Sequence, residues 1–321
     1  MAGVNLSLCL SRSDLKVLHI VPGTNDVANG MVVVAKLLAK EQGDAEVVDL
    51  NHGIHRIHGS DVDEVWVHGM WLPREWLACW RALRAGKRLV RMTHGSLSPI
   101  YLKCQSPFKK RLVGPIERFL LRRSAKIVAT CEAEKEWIEN YLGKCRPPIE
   151  VTDIKRFFDL SHVEHVDRVE SGELHLLYLG RRHPLKGVEY LEEAVAELNS
   201  NPVNPVNPVQ NSSLHVSTCS TRLKIVSSAF GEELEKVWDW CDVLVLPTLS
   251  ENFGLVMAEA LERGKRVITT DGAPAWGDGD DYGGRLIYLK GYRDGTKDER
   301  VGLLRDALKE VLARVSSQGG K

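Results

Sequence analysis

Two glutamates mark the place where this chain can do chemistry. Glu251 and Glu259 stand in Pro247-Thr248-Leu249-Ser250-Glu251-Asn252-Phe253-Gly254-Leu255-Val256-Met257-Ala258-Glu259-Ala260, where an apolar strand ending at Leu246 meets a turn and then a helix of good formers, Leu255 to Glu262. Backbone N–H groups at a helix start are unpaired and lie at the positive end of the dipole, so they suit a phosphate. A carboxylate is a poor phosphate ligand but accepts readily from sugar hydroxyls. Carboxylates on either side of such donors therefore fit a ligand with both groups, a nucleotide sugar.

A second segment supplies the opposite charge. Leu179-Gly180-Arg181-Arg182-His183-Pro184-Leu185-Lys186-Gly187 follows an apolar run. Arg181 presents a planar fork and Lys186 a compact charge, both suited to phosphate oxygens. Breaking a sugar–diphosphate bond leaves negative charge on the departing group, which such cations stabilise. A solvated basic turn has the same composition. In the first half of the chain, Val67-His68-Gly69-Met70-Trp71 and Thr93-His94-Gly95-Ser96-Leu97-Ser98-Pro99 each place a histidine where an apolar strand ends.

Short apolar runs that alternate with helical patterns predict the elements holding these residues, in parallel βαβ units. Strands are expected at Val17 to Val21, Ala45 to Leu50, Glu64 to Val67, Arg88 to Met92, Lys126 to Ala129 and Glu150 to Thr152. A second series covers Leu174 to Leu179, Lys224 to Ser227, Val243 to Leu246 and Arg266 to Thr269. The polar stretch Asp159 to Gly172 divides the two series and places a domain boundary there. Gly30 opens a helix, Met31 to Glu41, and lets its backbone approach a ligand closely. Val301, Leu304, Leu308 and Leu312 recur at helical spacing in a last segment, Glu299 to Val315. Trp76 and Trp80 are expected to pack a helix face. The repeat Asn201-Pro202-Val203-Asn204-Pro205-Val206-Asn207-Pro208-Val209 reads as an expanded surface loop.

Composition narrows the field. A chain of 321 residues suits two α/β domains of about 150 residues each. A formal net charge of zero gives no bulk case for nucleic acid. Seven cysteines, an odd number without a Cys-x-x-Cys pair, argue against a disulfide framework or a structural zinc and fit a reducing cytoplasm. Met1 to Lys16 does not read as a signal peptide, and no run of about 18 apolar residues occurs.

Taken in order, these four segments resemble the motifs of retaining glycosyltransferases of family 4, over residues 16 to 315. The resemblance is closest to bacterial members that build lipopolysaccharide or other surface polysaccharides. It implies an α/β fold of the GT-B type, two Rossmann-like domains with a central cleft. An acceptor-side domain would cover residues 1–160 and a nucleotide-sugar-binding domain residues 161–321; in that family the last helix crosses back onto the first domain. His94, Arg181, Lys186 and Glu251 are implied as the catalytic set, with His94 orienting a sugar hydroxyl or stabilising the transition state and Glu251 contacting the donor sugar. Glu259 would accept from the ribose. Gly30, Gly180, Asn252, Phe253, Gly254 and Leu255 would offer mainly backbone to the donor, and Ser227 to Phe230 would hold the nucleobase. Asn29-Gly30 stands where the family usually carries Gly-Gly, and Val151-Thr152-Asp153-Ile154 where it carries a Pro-Asn-Gly turn.

The expected activity is hexosyl transfer from a nucleotide-diphosphate sugar to a glycan or lipid-linked hydroxyl, with no cofactor. Asp278-Gly279-Asp280-Asp281 has an Asp-x-Asp pattern suited to a divalent cation, but its glycine-rich surroundings read as an exposed turn, and no metal is expected. Phe108-Lys109-Lys110-Arg111-Leu112 and Arg118-Phe119-Leu120-Leu121-Arg122-Arg123 are of the kind that bring a cytoplasmic protein to the inner face of a membrane over residues 108–123. A helix docked through Phe119 and Leu120, with its arginines in water, gives the same pattern. Two other functions compete: a non-catalytic nucleotide-sugar-binding subunit, which Arg181, Lys186 and Glu259 would serve equally, and a nucleotide-sugar 2-epimerase on the same fold, which needs carboxylate acid/base pairs at a sugar carbon, and no second pair is evident.

Overall fold

The computed structural model describes residues 15–23, 29–43, 45–59, 61–104, 106–161, 173–200 and 220–318. The Asn-Pro-Val repeat, most of the dividing polar stretch and all but the end of Met1 to Lys16 lie outside the described residues. The chain separates into two compact units, Met1–Ile154 and Lys155–Lys321, a division that falls just before the stretch Asp159 to Gly172.

The first unit is built on six parallel strands: β1 (Val17–Val21), β2 (Ala45–Asp49), β3 (Glu64–His68), β4 (Arg88–Met92), β5 (Lys126–Ala129) and β6 (Ile149–Val151). Their order is β2-β1-β3-β4-β5-β6. β1 and β3 are buried along their whole length, which is why each reads as a near-continuous apolar run. The connecting helices are α1 (Gly30–Gln42), α2 (Leu50–Arg56), α3 (Pro73–Arg84), α4 (Pro99–Cys104), α5 (Pro107–Arg123) and α6 (Glu132–Leu142). Leu18, Ile20, Val65, Val67, Ala78, Cys79, Leu89 and Leu120 form one core cluster; Leu121, Ile127, Ala129, Ile138 and Leu142 belong to another. β2 lies on one side of β1 and β3 on the other, so the connections reverse direction there. Open parallel sheets bind ligands beside the carboxyl ends of strands at such a point.

The second unit repeats the plan with β7 (Glu173–Leu179), α7 (Val188–Ser200), β8 (Ser220–Val226), α8 (Glu232–Trp240), β9 (Val243–Leu246), α9 (Leu255–Glu262), β10 (Arg266–Thr270), β11 (Leu286–Leu289) and α10 (Lys297–Gln318). The sheet order is β11-β10-β9-β7-β8, all parallel, with the reversal between β7 and β9. α10 buries Val301, Leu304, Leu308 and Val311 and packs on α7, where Arg305 reaches Glu197 at 2.9 Å and Lys297 reaches Glu193 at 2.7 Å. Gly264, at φ +72°, closes α9, and its N–H donates to Leu261 O at 3.0 Å.

Several local expectations are corrected. β11 is a strand that the sequence reading did not include. Trp80 is 48 % exposed and so is not a core residue, whereas Trp76 is partly buried and donates its indole N–H to Glu117 at 2.8 Å. α5 docks through Leu120 and Leu121, while Phe119 faces outward, 52 % exposed.

Candidate functional site

In the second unit, the loops that follow β7 and β9 meet at the reversal of strand order. β7 ends at Leu179; Gly180 N–H still donates to Val226 O at 2.9 Å, holding the start of the loop against β8. The chain then passes Arg181 and Arg182, makes a single 3-10 turn over Pro184–Lys186, and enters α7 through Gly187. Gly187 has φ +63°, and a Cβ there would run into the carbonyl of Pro247, so only glycine lets the two loops touch. Leu249 N–H donates to Leu185 O at 2.8 Å and Thr248 Oγ1 donates to the same carbonyl at 3.1 Å. These contacts bring Lys186 and Glu251 together as a half-buried ion pair, Nζ on Oε2. Arg182 is instead exposed and paired with Glu192. Arg181 is exposed on the same loop, and its carbonyl accepts from Tyr178 Oη at 2.9 Å.

The glutamate turn is braced from below. Glu251 N–H donates to Gly272 O at 2.8 Å, and Trp276 Nε1 donates to the carbonyl of Phe253. The Phe253 ring is buried among Trp276, at 5.3 Å between centroids, and Phe158, at 6.4 Å, so that side chain is packing and only its backbone is available for a ligand. Gly254 caps α9 at φ +74°, a conformation that costs glycine least, and the N–H groups of Leu255 and Val256 fall in the first turn, without intrahelical partners. Asn252 N–H donates to Glu251 Oε1 at 3.1 Å. Glu259, near the middle of α9, is partly buried, and that burial holds its carboxyl above the usual range against the pull of Arg263. The Ser227 to Phe230 loop lies at the end of β8, the strand beside β7.

The first unit holds His94 just past β4. His94 has φ +49° and Gly95 +71°, so the chain bends sharply. The fully buried carboxylate of Glu134, in the first turn of α6, fixes that bend: Oε1 accepts from Thr93 Oγ1 and Gly95 N–H, each at 2.6 Å, and Oε2 accepts from Thr130 N–H and Oγ1, each at 2.8 Å. Glu134 had been assigned no role from the sequence. His94 Nε2 sits 2.8 Å from His68 Nδ1, and His68 Nε2 sits 2.9 Å from His19 Nδ1. Burial pushes His19 down to about 4, His94 down to about 3, and His68 well below the ordinary imidazole value. All three are therefore neutral near pH 7. Behind them lies a buried polar cluster, in which Arg91 donates to Gly69 O at 2.8 Å and pairs with Glu117 at 3.3 Å, while burial pushes Glu75 up to about 7. Gly30 is the first residue of α1, and Asn29 is its N-cap, accepting from Met31 N–H at 3.1 Å. A side-chain cap thus stands in place of the expected glycine.

The Asp278 to Asp281 turn is bound up locally. Asp278 pairs with Lys155, Asp280 Oδ1 accepts from Tyr282 N–H at 2.9 Å, and Asp281 Oδ1 accepts from Gly283 N–H at 3.1 Å. Among the described residues no group of three or more His, Cys, Asp or Glu is gathered for a metal.

Comparison with known proteins matches each half of the chain separately. The family model described as Glycosyl transferase 4-like domain matches residues 21–152, and that described as Glycosyl transferases group 1 matches residues 173–290. Among solved structures, sucrose-phosphate synthase from Thermosynechococcus elongatus is similar with a TM-score of 0.61 at 15 % identity, covering 94 % of this chain and 90 % of that one. Anabaena HepE in complex with UDP follows at 0.55 and 13 %, covering 95 % and 98 %. A trehalose-6-phosphate synthase studied with bisubstrate glycomimetics has 0.51 and 10 %, covering 94 % and 96 %. No curated protein matches in sequence.

Proposed function

The chain is a glycosyltransferase on the two-domain GT-B fold, and we propose that it moves a sugar, with retention, from a nucleoside-diphosphate donor to a hydroxyl of a glycan or glycolipid. The observation that carries this reading is the Lys186–Glu251 pair at the reversal of the second sheet. Lys186 and Arg181 take the diphosphate and stabilise the charge that grows on it; Glu251 is thereby released to accept from the donor sugar, and Glu259 accepts from the ribose. His94, in the first unit, is a neutral imidazole suited to hydrogen-bond a sugar hydroxyl. No metal takes part, because the two cations already supply the positive charge. HepE, of the same fold, was solved with UDP, which accords with a nucleoside-diphosphate donor.

The acceptor lies at an anionic membrane surface, as suits surface-polysaccharide or lipopolysaccharide synthesis. α5 turns Phe108, Leu112, Ile116 and Phe119 outward, 80 % exposed in the case of Phe108, and Leu77 and Trp80 are exposed on α3, which packs against it. Every exposed charge on α5 is basic, including Lys109, Arg111, Arg122 and Arg123; its one acid, Glu117, is buried against Arg91. Apolar side chains among cations fit anionic lipid, which accepts both.

Slow donor hydrolysis tests the central claim. With panels of uridine, guanosine and adenosine diphosphate sugars, the purified chain should release nucleoside diphosphate from one of them. Thermal stabilisation by a donor with no release from it would instead mark a binding module.

A further inference from the structure

His19, His68 and His94 of the first unit form a single hydrogen-bonded row whose far end is Gln42. Strand geometry puts them there. His19 on β1 is level with Trp66 on β3, and His68, two residues on, is level with Met92 on β4, with His94 two residues further still. Alternation along parallel strands keeps residues two apart on one face. The row therefore climbs one face of the sheet, two residues per strand, toward its carboxyl edge. Trp66 stacks on His19 at 4.9 Å and holds the inner end. There, His19 Nε2 lies 2.8 Å from Oε1 of Gln42, the last residue of α1.

A neutral imidazole has one N–H and one lone pair, so each ring between two partners must donate to one and accept from the other. Choosing the direction of one bond chooses them all. The Gln42 carbonyl oxygen only accepts, so His19 carries its proton on Nε2 and accepts at Nδ1. His68 then donates from Nε2 and accepts at Nδ1, and His94 donates from Nε2. The lone pair of His94 is left on Nδ1, the nitrogen that the row does not use.

We propose that Gln42 is a positioning residue that sets the tautomer of His94 through His19 and His68, and so fixes His94 Nδ1 as an acceptor for a substrate hydroxyl. The use made of His94 rests on the function proposed above; the transmission along the row does not. A donor in place of the Gln42 oxygen reverses every bond, moving the proton to Nδ1 on all three rings and turning His94 into a donor.

Long-range proton–nitrogen correlation spectra of the full chain with labelled histidine report which nitrogen of each ring is protonated, without any substrate. The native chain should show Nε2–H on His19, His68 and His94 alike. Protonation of His19 and His94 on opposite nitrogens would overturn the proposal before any variant is made. Gln42→Lys, at a half-buried helix end, should switch all three to Nδ1–H, and Gln42→Met should let them mix. In a His68→Phe background, Gln42→Lys should leave His94 as it was. A Gln42→Lys chain in which His19 switches and His94 does not would show that the row transmits nothing. With the tautomers switched, kcat should fall at least tenfold with little change in KM for the donor; unchanged kcat would reject the role of His94 while leaving the relay intact.

Discussion

At the scale of single residues, the Lys186–Glu251 pair makes each partner answer for the other. Lys186→Ala removes a cation from the departing diphosphate, and Arg181→Ala removes its fork. Each should cut turnover at saturating donor by tens-fold or more, corresponding to about 2–4 kcal/mol of lost transition-state stabilisation. Purified variants that keep native turnover would end that assignment. The two glutamates should separate in binding. Glu259→Ala should weaken both nucleoside diphosphate and full donor, by about 1–3 kcal/mol, because a buried hydroxyl loses its acceptor. Glu251→Ala should weaken only the sugar-bearing donor, and since it frees Lys186, it should leave nucleoside diphosphate bound as well as before or better. Calorimetric titration of both variants with both ligands reads this directly, and a Glu251→Ala chain that lost nucleoside diphosphate would contradict it.

At the scale of elements, what could be read from the sequence was whatever is local. Each buried strand is a short apolar run, and the glutamate turn is one continuous segment, so Glu251, Gly254 and Leu255 to Glu262 fell where expected. β11 was missed because four residues after a glycine-rich turn carry too little periodicity. Trp80 was misread because helical spacing tells which residues share a face and not whether that face is covered. His19 and Gln42 were missed for another reason: their link to His94 spans 49 positions from His19 to His68 and 26 from His68 to His94, and depends on strand register. The outward face of α5 gives an element-level prediction. Phe108→Ser with Leu112→Ser should reduce sedimentation with vesicles rich in anionic lipid severalfold, and raised salt should do the same to the native chain. Equal sedimentation of native and variant chains would remove the membrane, and self-association through this face would replace it with a second copy. The Asp278 to Asp281 turn gives another: because its carboxylates bind Lys155 and their own backbone, activity should persist in excess chelator and in Asp280→Ala. Activity lost to chelator and restored by magnesium or manganese would mean that a cation enters after all.

For the molecule as a whole, buried titratable groups of opposite kind set how stability follows pH. His19 and His94 titrate at about 4 and about 3 when folded, and His68 also falls well below 6.5, so the unfolded chain binds protons that the folded chain refuses. Their contribution is complete above 6.5 and is lost as pH falls toward the folded values. Glu75 acts the other way. Burial raises it from 4.5 to about 7, so its contribution is present below 4.5 and is lost as pH rises through 7. Each uncompensated proton is worth roughly 1.4 kcal/mol per pH unit. Between pH 4.5 and 6.5 the three histidines, with their large downward shifts, oppose Glu75 and the smaller upward shifts of Glu259 and Asp242, and stability should rise with pH over this range. Glu75→Gln removes this opposing group, and the groups that its charge perturbs, Cys79 and Arg91, titrate well above the window; the variant should therefore gain stability over the native chain as pH rises from 4.5 to 7, and the two curves should run parallel from there to pH 8. Denaturant midpoints measured for both chains across pH 4 to 8 isolate this difference. Curves that stay parallel throughout would mean that Glu75 is already ionised in the fold, with Arg91 and Glu117 arranged to hold a second buried carboxylate.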